Sequence, residues 1–450
     1  MQRDDVLADL DFLEHALEDR FAYLKTNGID YAGLFEELRG NLPVDVELGE
    51  SGLHLQKLLA NFIDGHASVN VSPSPSGYLP FVTGSAGDEL VALEADRSAF
   101  LDAERPFLLA IDGVPVQVWL RAAAEYVAAG SPQLVRRGSQ RWLRAVQMLR
   151  QDMGLPTSDL IEVTLANANG DSPRVLHLEV AERPVQFGGW PRYETKRLEG
   201  NVGYLRLPRM RPEAAGHIRH SLEQFETTGG MVVDVRGNGG GSRDALRALL
   251  PALMEPDASA RVVNVAAYRT WKGFPDDHLA ARHLYPLSSV NWTHAEREAL
   301  DSFMPGFQPE WQLPQEEFSE WHAMVVSPAR RGEPVYRDRP VAVLLDAACF
   351  SATDVFLSAL KGLPNVTLVG EPSGGGSALA QIVELPASGL KARFASMASF
   401  QASGQLFDGH GVQPDIEVTP EPDYYLEGGS DPVLDHAVAL VHETMGNEVR

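Results

Sequence analysis

The chain has one cysteine, Cys349, in 450 residues. A single thiol excludes an intrachain disulfide framework and any zinc site built from several thiolates. Lysine is almost as scarce, with six of the 38 basic residues, at positions 25, 57, 196, 272, 361 and 391. Positive charge as a whole is outweighed, since 62 Asp plus Glu leave a formal charge of −24. A field of that sign repels phosphates and anionic lipid, which argues against nucleic acid as a partner and favours cationic or neutral ligands. No uncharged apolar run reaches the roughly 18 residues that a membrane-spanning helix needs. The N-terminus, MQRDDVLADLDFLEHALEDRF, has no basic segment leading into an apolar one. The expectation is therefore a cytoplasmic chain, or a periplasmic one if a leader has been removed.

What is present suits a globular protein. Hydrophobic residues make up 44% and charged residues 22%, and at roughly 100–200 residues per domain the length predicts two or three domains. Residues 1–72 read as a helical cap. Val6, Leu10, Leu13 and Leu17 recur at helical spacing, and Tyr31–Leu38 and Leu53–Phe62 repeat the pattern. Residues 73–185 follow a Pro/Ser/Gly cluster and read as β-rich with one long helix. FLLAIDGVPV (107–116) is strand, Asp-Gly turn, strand, and 160–180 is a hairpin. From 186 to 450 the pattern changes to α/β, with short, largely apolar strands at GMVVDV (230–235), PVAVLL (340–345) and VTLVG (366–370). Residues 255–335, with four of the seven tryptophans, read as an insertion, either a lid over a cleft or a satellite with its own small core.

Four segments carry chemical promise. RGNGGGS (236–242) ends a buried strand and opens a helix, where bare backbone N–H groups can converge on a phosphate or an oxyanion. It lacks the lysine of a phosphate-binding loop and matches the dinucleotide fingerprint only in part. Cys349-Phe350-Ser351-Ala352 also ends a buried strand, so the Ser351 hydroxyl projects from a helix N-terminus and the Ala352 N–H has no helical partner. Taken alone, that serine also reads as an N-cap, and Cys349 as a small buried filler. Asp64-Gly65-His66 supplies an imidazole. Phe407-Asp408-Gly409-His410-Gly411 supplies a carboxylate and a second imidazole on a turn into a strand.

In this order the segments resemble the tail-specific, C-terminal-processing serine peptidases, including the tricorn-type (Ser–His) subgroup. DGHASV, the Ile-Asp-Gly of a PDZ-like domain, GGMVVDVRGNGGGS, the Ser351 segment, VTLVGEPSGGG and GHGVQPDIEV span about residues 55–420. The resemblance implies an α/β fold with a layered, mixed, crotonase/ClpP-like sheet core, a helical cap and a PDZ-like domain. It implies Ser351 as nucleophile, with Ala352 and Gly239 or Gly240 as the oxyanion hole. Many members use a lysine base where this chain has Gly376, which leaves Lys391 as the stand-in. The tricorn-type arrangement makes His66 the base. In that subgroup a serine stands at Gly65 and a glutamate at Asp408, so Asp408 is the expected carboxylate, orienting His66 or a substrate amine, and His410 a rival base. The implied activity is hydrolysis of peptides or unfolded proteins through an acyl-enzyme, with no metal or cofactor. A binding module of the same fold, a dinucleotide-dependent oxidoreductase and homo-oligomerisation stay open at this point.

Overall fold

The computed structural model describes residues 1–71, 74–186, 189–271, 279–314 and 316–447. The expected boundary between residues 72 and 73, and Lys272, lie outside them.

The apolar runs of the C-terminal half become the sheet that carries the site. Val202–Arg206, Gly230–Asp234, Val341–Leu345 and Val366–Gly370 pair in parallel. Lys196–Leu198 joins one edge antiparallel and Ile416–Glu417 joins the other in parallel. These strands are rich in Val and Leu because both faces are covered. One face packs on the helices Ala214–Gln224, Asp244–Leu253 and Ala352–Leu360. The other packs on Val433, Ala437 and Val441 of the helix Pro432–Asn447. In a parallel sheet the C-terminal strand ends share one edge, and both the glycine run and Ser351 follow such ends.

The N-terminal helices Arg3–Arg20, Tyr31–Asn41 and Leu48–Ala60 bury their stripes against residues 378–406. The strand Ser68–Val69 then pairs antiparallel with Lys391–Ala395. Residues 82–179 form a six-stranded antiparallel sheet with its own core around Trp119. The Asp-Gly turn is made by Asp112 and Gly113, both at positive φ, as a two-residue hairpin requires. This unit holds three helices where the sequence predicts one, Val116–Ala124, Pro132–Leu143 and Val146–Asp152. Pro132 sits at the first turn behind the Ser131 N-cap, a start signal hidden by the arginine-rich run that follows. Within 255–335, Arg261–Tyr268 and His322–Val326 are strands of a four-stranded sheet completed by Met397–Phe400. Trp292 and Trp321 pack into a small core there, and Trp311 packs towards the cap.

Arg236 opens the glycine run from inside the fold. Its guanidinium bonds Asp234 at 2.7 Å and Asp431 at 2.8 Å, in a cluster where all three side chains are buried. Removing one partner from a buried ion cluster strands the remaining charges. Arg236→Ala is therefore expected to lower unfolding free energy by about 3–5 kcal/mol in a urea titration. A loss below about 1 kcal/mol, the range of a surface pair, would contradict that role.

Candidate active site

The fold brings together the two segments on which the sequence reading centres. His66 Nε2 lies 3.2 Å from Ser351 Oγ, across 285 residues of chain. The imidazole is delivered by backbone pairing. Asp64, fully buried, accepts the His66 N–H at 2.9 Å and the Ala395 N–H at 2.6 Å, pinning the loop to the strand Lys391–Ala395. Ser351 stands between the strand Val341–Leu345 and the helix Ala352–Leu360 with φ 62° and ψ −117°. That left-handed conformation costs a non-glycine residue about 1–3 kcal/mol and must be imposed by its surroundings. It also sets aside the N-cap alternative, because the side chain makes no capping hydrogen bond. Cys349 is fully buried, donates to the Val235 carbonyl, and burial raises its thiol well above the ordinary range.

The glycine run lies against the serine corner. A methyl group on Gly240 (φ +96°) would fall 2.5 Å from Phe350 O, 2.8 Å from Ser351 Cβ and 2.9 Å from Ala352 N. The Gly240 N–H donates to Asn238 Oδ1 at 3.0 Å. The N–H groups of Gly239 and Ala352 have no acceptor among the described residues. Of the expected oxyanion donors, the free pair is thus Gly239 with Ala352.

Around His66 the environment holds the ring neutral. Burial, reinforced by Arg393 and Arg282, draws its pKa down to about 3. Nδ1 faces Asp64 Oδ1 at 3.7 Å and has no hydrogen-bond partner. Burial and repulsion from Asp408 push Asp64 up to about 7, and burial pushes Asp408 up to about 6. Asp408 does not bond His66. Its Oδ2 accepts from Tyr23 OH at 2.9 Å and from the Ser377 N–H at 3.1 Å, while Oδ1 is unpaired. The donor atoms of Asp64, His66 and Asp408 lie within 4.8 Å of one another. A carboxylate at that range favours an imidazolium when one forms. The same three side chains are the cluster with metal-ligand spacing among the described residues. The bonds already made by both Asp64 oxygens and by Asp408 Oδ2 fit proton handling better.

The remaining expected bases lie apart. Lys391 is half-exposed and paired with Glu384 at 3.9 Å, and His410 pairs with Glu310 at 2.8 Å. Phe350 accounts physically for both departures from the family pattern. Its ring lies 4.6 Å from that of His66. A Cβ on Gly65 would meet that ring at 2.6 Å, and one on Gly376 at 2.5 Å. The phenyl thus fills the space that a serine at 65 or a lysine at 376 would enter.

Four contributors escape the sequence reading: Asp64, Tyr23, Phe350 and Asp354. Asp354 accepts from Ser373 Oγ at 2.5 Å and from the Gly375 and Gly376 N–H groups at 3.2 Å, which fixes the loop facing Ser351. Burial lifts it to about 8 while those donors pull it down. An acidic residue three positions after the serine, ahead of a glycine run, is the one signal that pointed to it.

Gly240→Ala is expected to slow covalent labelling of Ser351 by a fluorophosphonate at least about tenfold, since 1–3 kcal/mol of strain would fall on the serine corner. Gly239→Ala, whose added methyl meets nothing within 4 Å, should label within about twofold of the parent. Equal rates for both variants would contradict the packing argument.

The chain is similar in overall fold to solved structures. Mature CPAF superposes with a TM-score of 0.72 at 18% identity, covering 98% of both chains. Mature CPAF complexed with lactacystin gives 0.70 at 17%, covering 99% of both chains. The photosystem II D1 C-terminal processing protease gives 0.46 at 15%, covering 97% of both chains. At residues 201–418 the chain matches the family model described as Peptidase family S41, and it carries a domain of that family.

Proposed function

We propose that the protein is a serine peptidase that cleaves peptide bonds through an acyl-enzyme on Ser351, with His66 as general base. The observation that carries this reading is the 3.2 Å approach of His66 Nε2 to Ser351 Oγ beside two unengaged backbone donors. A serine hydroxyl is a weak nucleophile until a neighbour removes its proton. Neutral His66 can accept that proton at Nε2 when Nδ1 carries the ring's own hydrogen towards Asp64. Ser351 Oγ then bonds the substrate carbonyl carbon, and the carbonyl oxygen becomes an oxyanion held by the Gly239 and Ala352 N–H groups. Such a donor contributes about 3–4 kcal/mol of transition-state stabilisation. The imidazolium gives its proton to the departing amine, and water, deprotonated by His66, releases the acid product. Asp64 balances the imidazolium directly. Asp408, tied to Tyr23, acts at longer range.

The substrate path is a cleft of roughly 1030 Å³ lined by Gly65, Gly239, Gly240 and Phe350 at the site. Thr83, Gly84 and Ser85 of the edge strand Val82–Ala86 form part of its wall. An extended peptide laid along that edge suits cleavage within an unfolded segment or near a chain end. None of its lining residues comes from the described part of 255–335. Among the described residues no helix is long and apolar enough to cross a membrane.

Ser351→Ala is expected to abolish fluorophosphonate labelling and casein hydrolysis with a nearly unchanged melting curve. Persistent labelling would remove Ser351 from its role. The pH profile separates base from balancing charge. Below the raised pKa values of Asp64 and Asp408 these carboxyls are neutral and cannot balance an imidazolium. Labelling should therefore speed up as pH rises through about 6–7, the range of those two groups. Asp64→Asn should be about a hundredfold slower, with that rise flattened. An unchanged rise in Asp64→Asn would take it away from Asp64 and leave Asp408 as its source.

A further inference from the structure

The acidity of the whole chain hides a basic wall at the site. Along the helix Pro132–Leu143 and its C-cap, Arg136, Arg137, Arg141 and Arg144 fall one, four and three residues apart, which places them on one side of the helix. All four line the cleft, as do Arg97 and Arg209 from other elements. The helix is anchored at its start against the catalytic loops. Ser131 Oγ donates to the Gly374 carbonyl at 2.6 Å, and Gln133 Nε2 donates to the carbonyls of Ser373 at 2.7 Å and His410 at 2.9 Å. The arginine face is thus held in fixed register with Ser351.

Of these charges, those of Arg136, Arg137, Arg141 and Arg209 are poorly neutralised. Two carboxylates line the cleft, Asp346 and Glu371. Asp346 already accepts the N–H groups of Gly237, Ala348 and Cys349, and burial pushes Glu371 up to about 7. Arg136 reaches Glu371 only at 3.7 Å and exposed Asp88 at 3.4 Å. Arg137, Arg141 and Arg209 form no ion pair with a described residue. Burial lowers the Arg137 pKa, opposed by attraction to Asp346 and aided by repulsion from Arg141. Arg137 is half-buried, and a partly desolvated cation without a carboxylate partner is costly to maintain, a cost that an incoming carboxylate relieves.

We propose that this arginine row selects peptide segments bearing acidic side chains and guides them past Ser351. The proposal rests on the peptidase reading for its consequence, but its binding part stands separately. It reverses the preference for basic or neutral peptides that net charge alone suggests, because the field inside a cleft is set by the nearest charges.

The test uses full-length Ser351→Ala protein and fluorescein-labelled peptides with both ends blocked, matched except for Glu, Gln or Lys at alternate positions. Anisotropy should show the Glu peptide binding at least about tenfold tighter than the Gln peptide, and the gap should shrink with added salt. Arg137→Gln with Arg141→Gln should erase that gap while shifting the Gln peptide less than about twofold. Exposed Arg141→Gln alone should narrow the gap in a protein whose melting curve is unchanged. Wild-type kcat/KM should follow the same order. Equal binding of the peptides, or a preference that survives the double substitution, would overturn the proposal. So would a preference that appears only with a free C-terminal carboxylate, or tighter binding of a single-stranded oligonucleotide. Selective binding with no hydrolysis of any peptide would sustain the selection and overturn the peptidase reading instead.

Discussion

The site depends on one buried carboxylate. Asp64 joins the His66 loop to Ala395 through two backbone N–H bonds, and so ties the end of the N-terminal cap to a strand more than 300 residues later. Without that tie the imidazole has no fixed place, because the pairing of Ser68–Val69 with Lys391–Ala395 is only two residues long. The same carboxylate stands 3.7 Å from Nδ1. One group therefore both positions the ring and faces the charge that the ring would acquire in the proposed mechanism. Its burial is costly, and the Asp64–Asp408 pair lies close enough that each disfavours ionisation of the other.

The surroundings show how strain and charge are accommodated at such a place. Ser351 is held at positive φ between two fully buried elements, the strand Val341–Leu345 and the first turns of its helix. Asp354 organises the facing loop and Phe350 fills the space above two glycines. Rigid packing on the sheet side sustains a conformation that an exposed loop would relax. The Arg236–Asp234–Asp431 cluster does similar work for the glycine run, fixing its first residue from below. What remains unfixed by internal bonds is what a developing oxyanion would use, the N–H groups of Gly239 and Ala352.

Charge divides along a different line. A molecule with a formal charge of −24 carries an arginine-faced helix beside its cleft. At a distance the acidic surface dominates and is screened by salt. Within the cleft low-dielectric walls let the nearest guanidinium groups set the potential. Peptide choice and long-range attraction can therefore have opposite signs.

The sequence by itself determined the C-terminal strands and the corners where chemistry could sit, but not all the helices of the β-rich unit. Largely apolar runs marked the parallel strands, Asp112-Gly113 marked its hairpin, and glycine after a buried strand marked the loop beside Ser351. These are local signals, written in periodicity and in residues with special backbone freedom. Only the tertiary structure decided which partner each corner meets. That Gly240 spends its N–H on Asn238, that Asp64 rather than Asp408 faces the imidazole, and that Phe350 occupies the space of a lysine or serine are facts of long-range packing. So is the arginine row, which reads locally as an ordinary solvated helix face. Contacts between residues hundreds of positions apart leave no period in the chain. They exist because sheet pairing and desolvation are settled collectively once the core has closed.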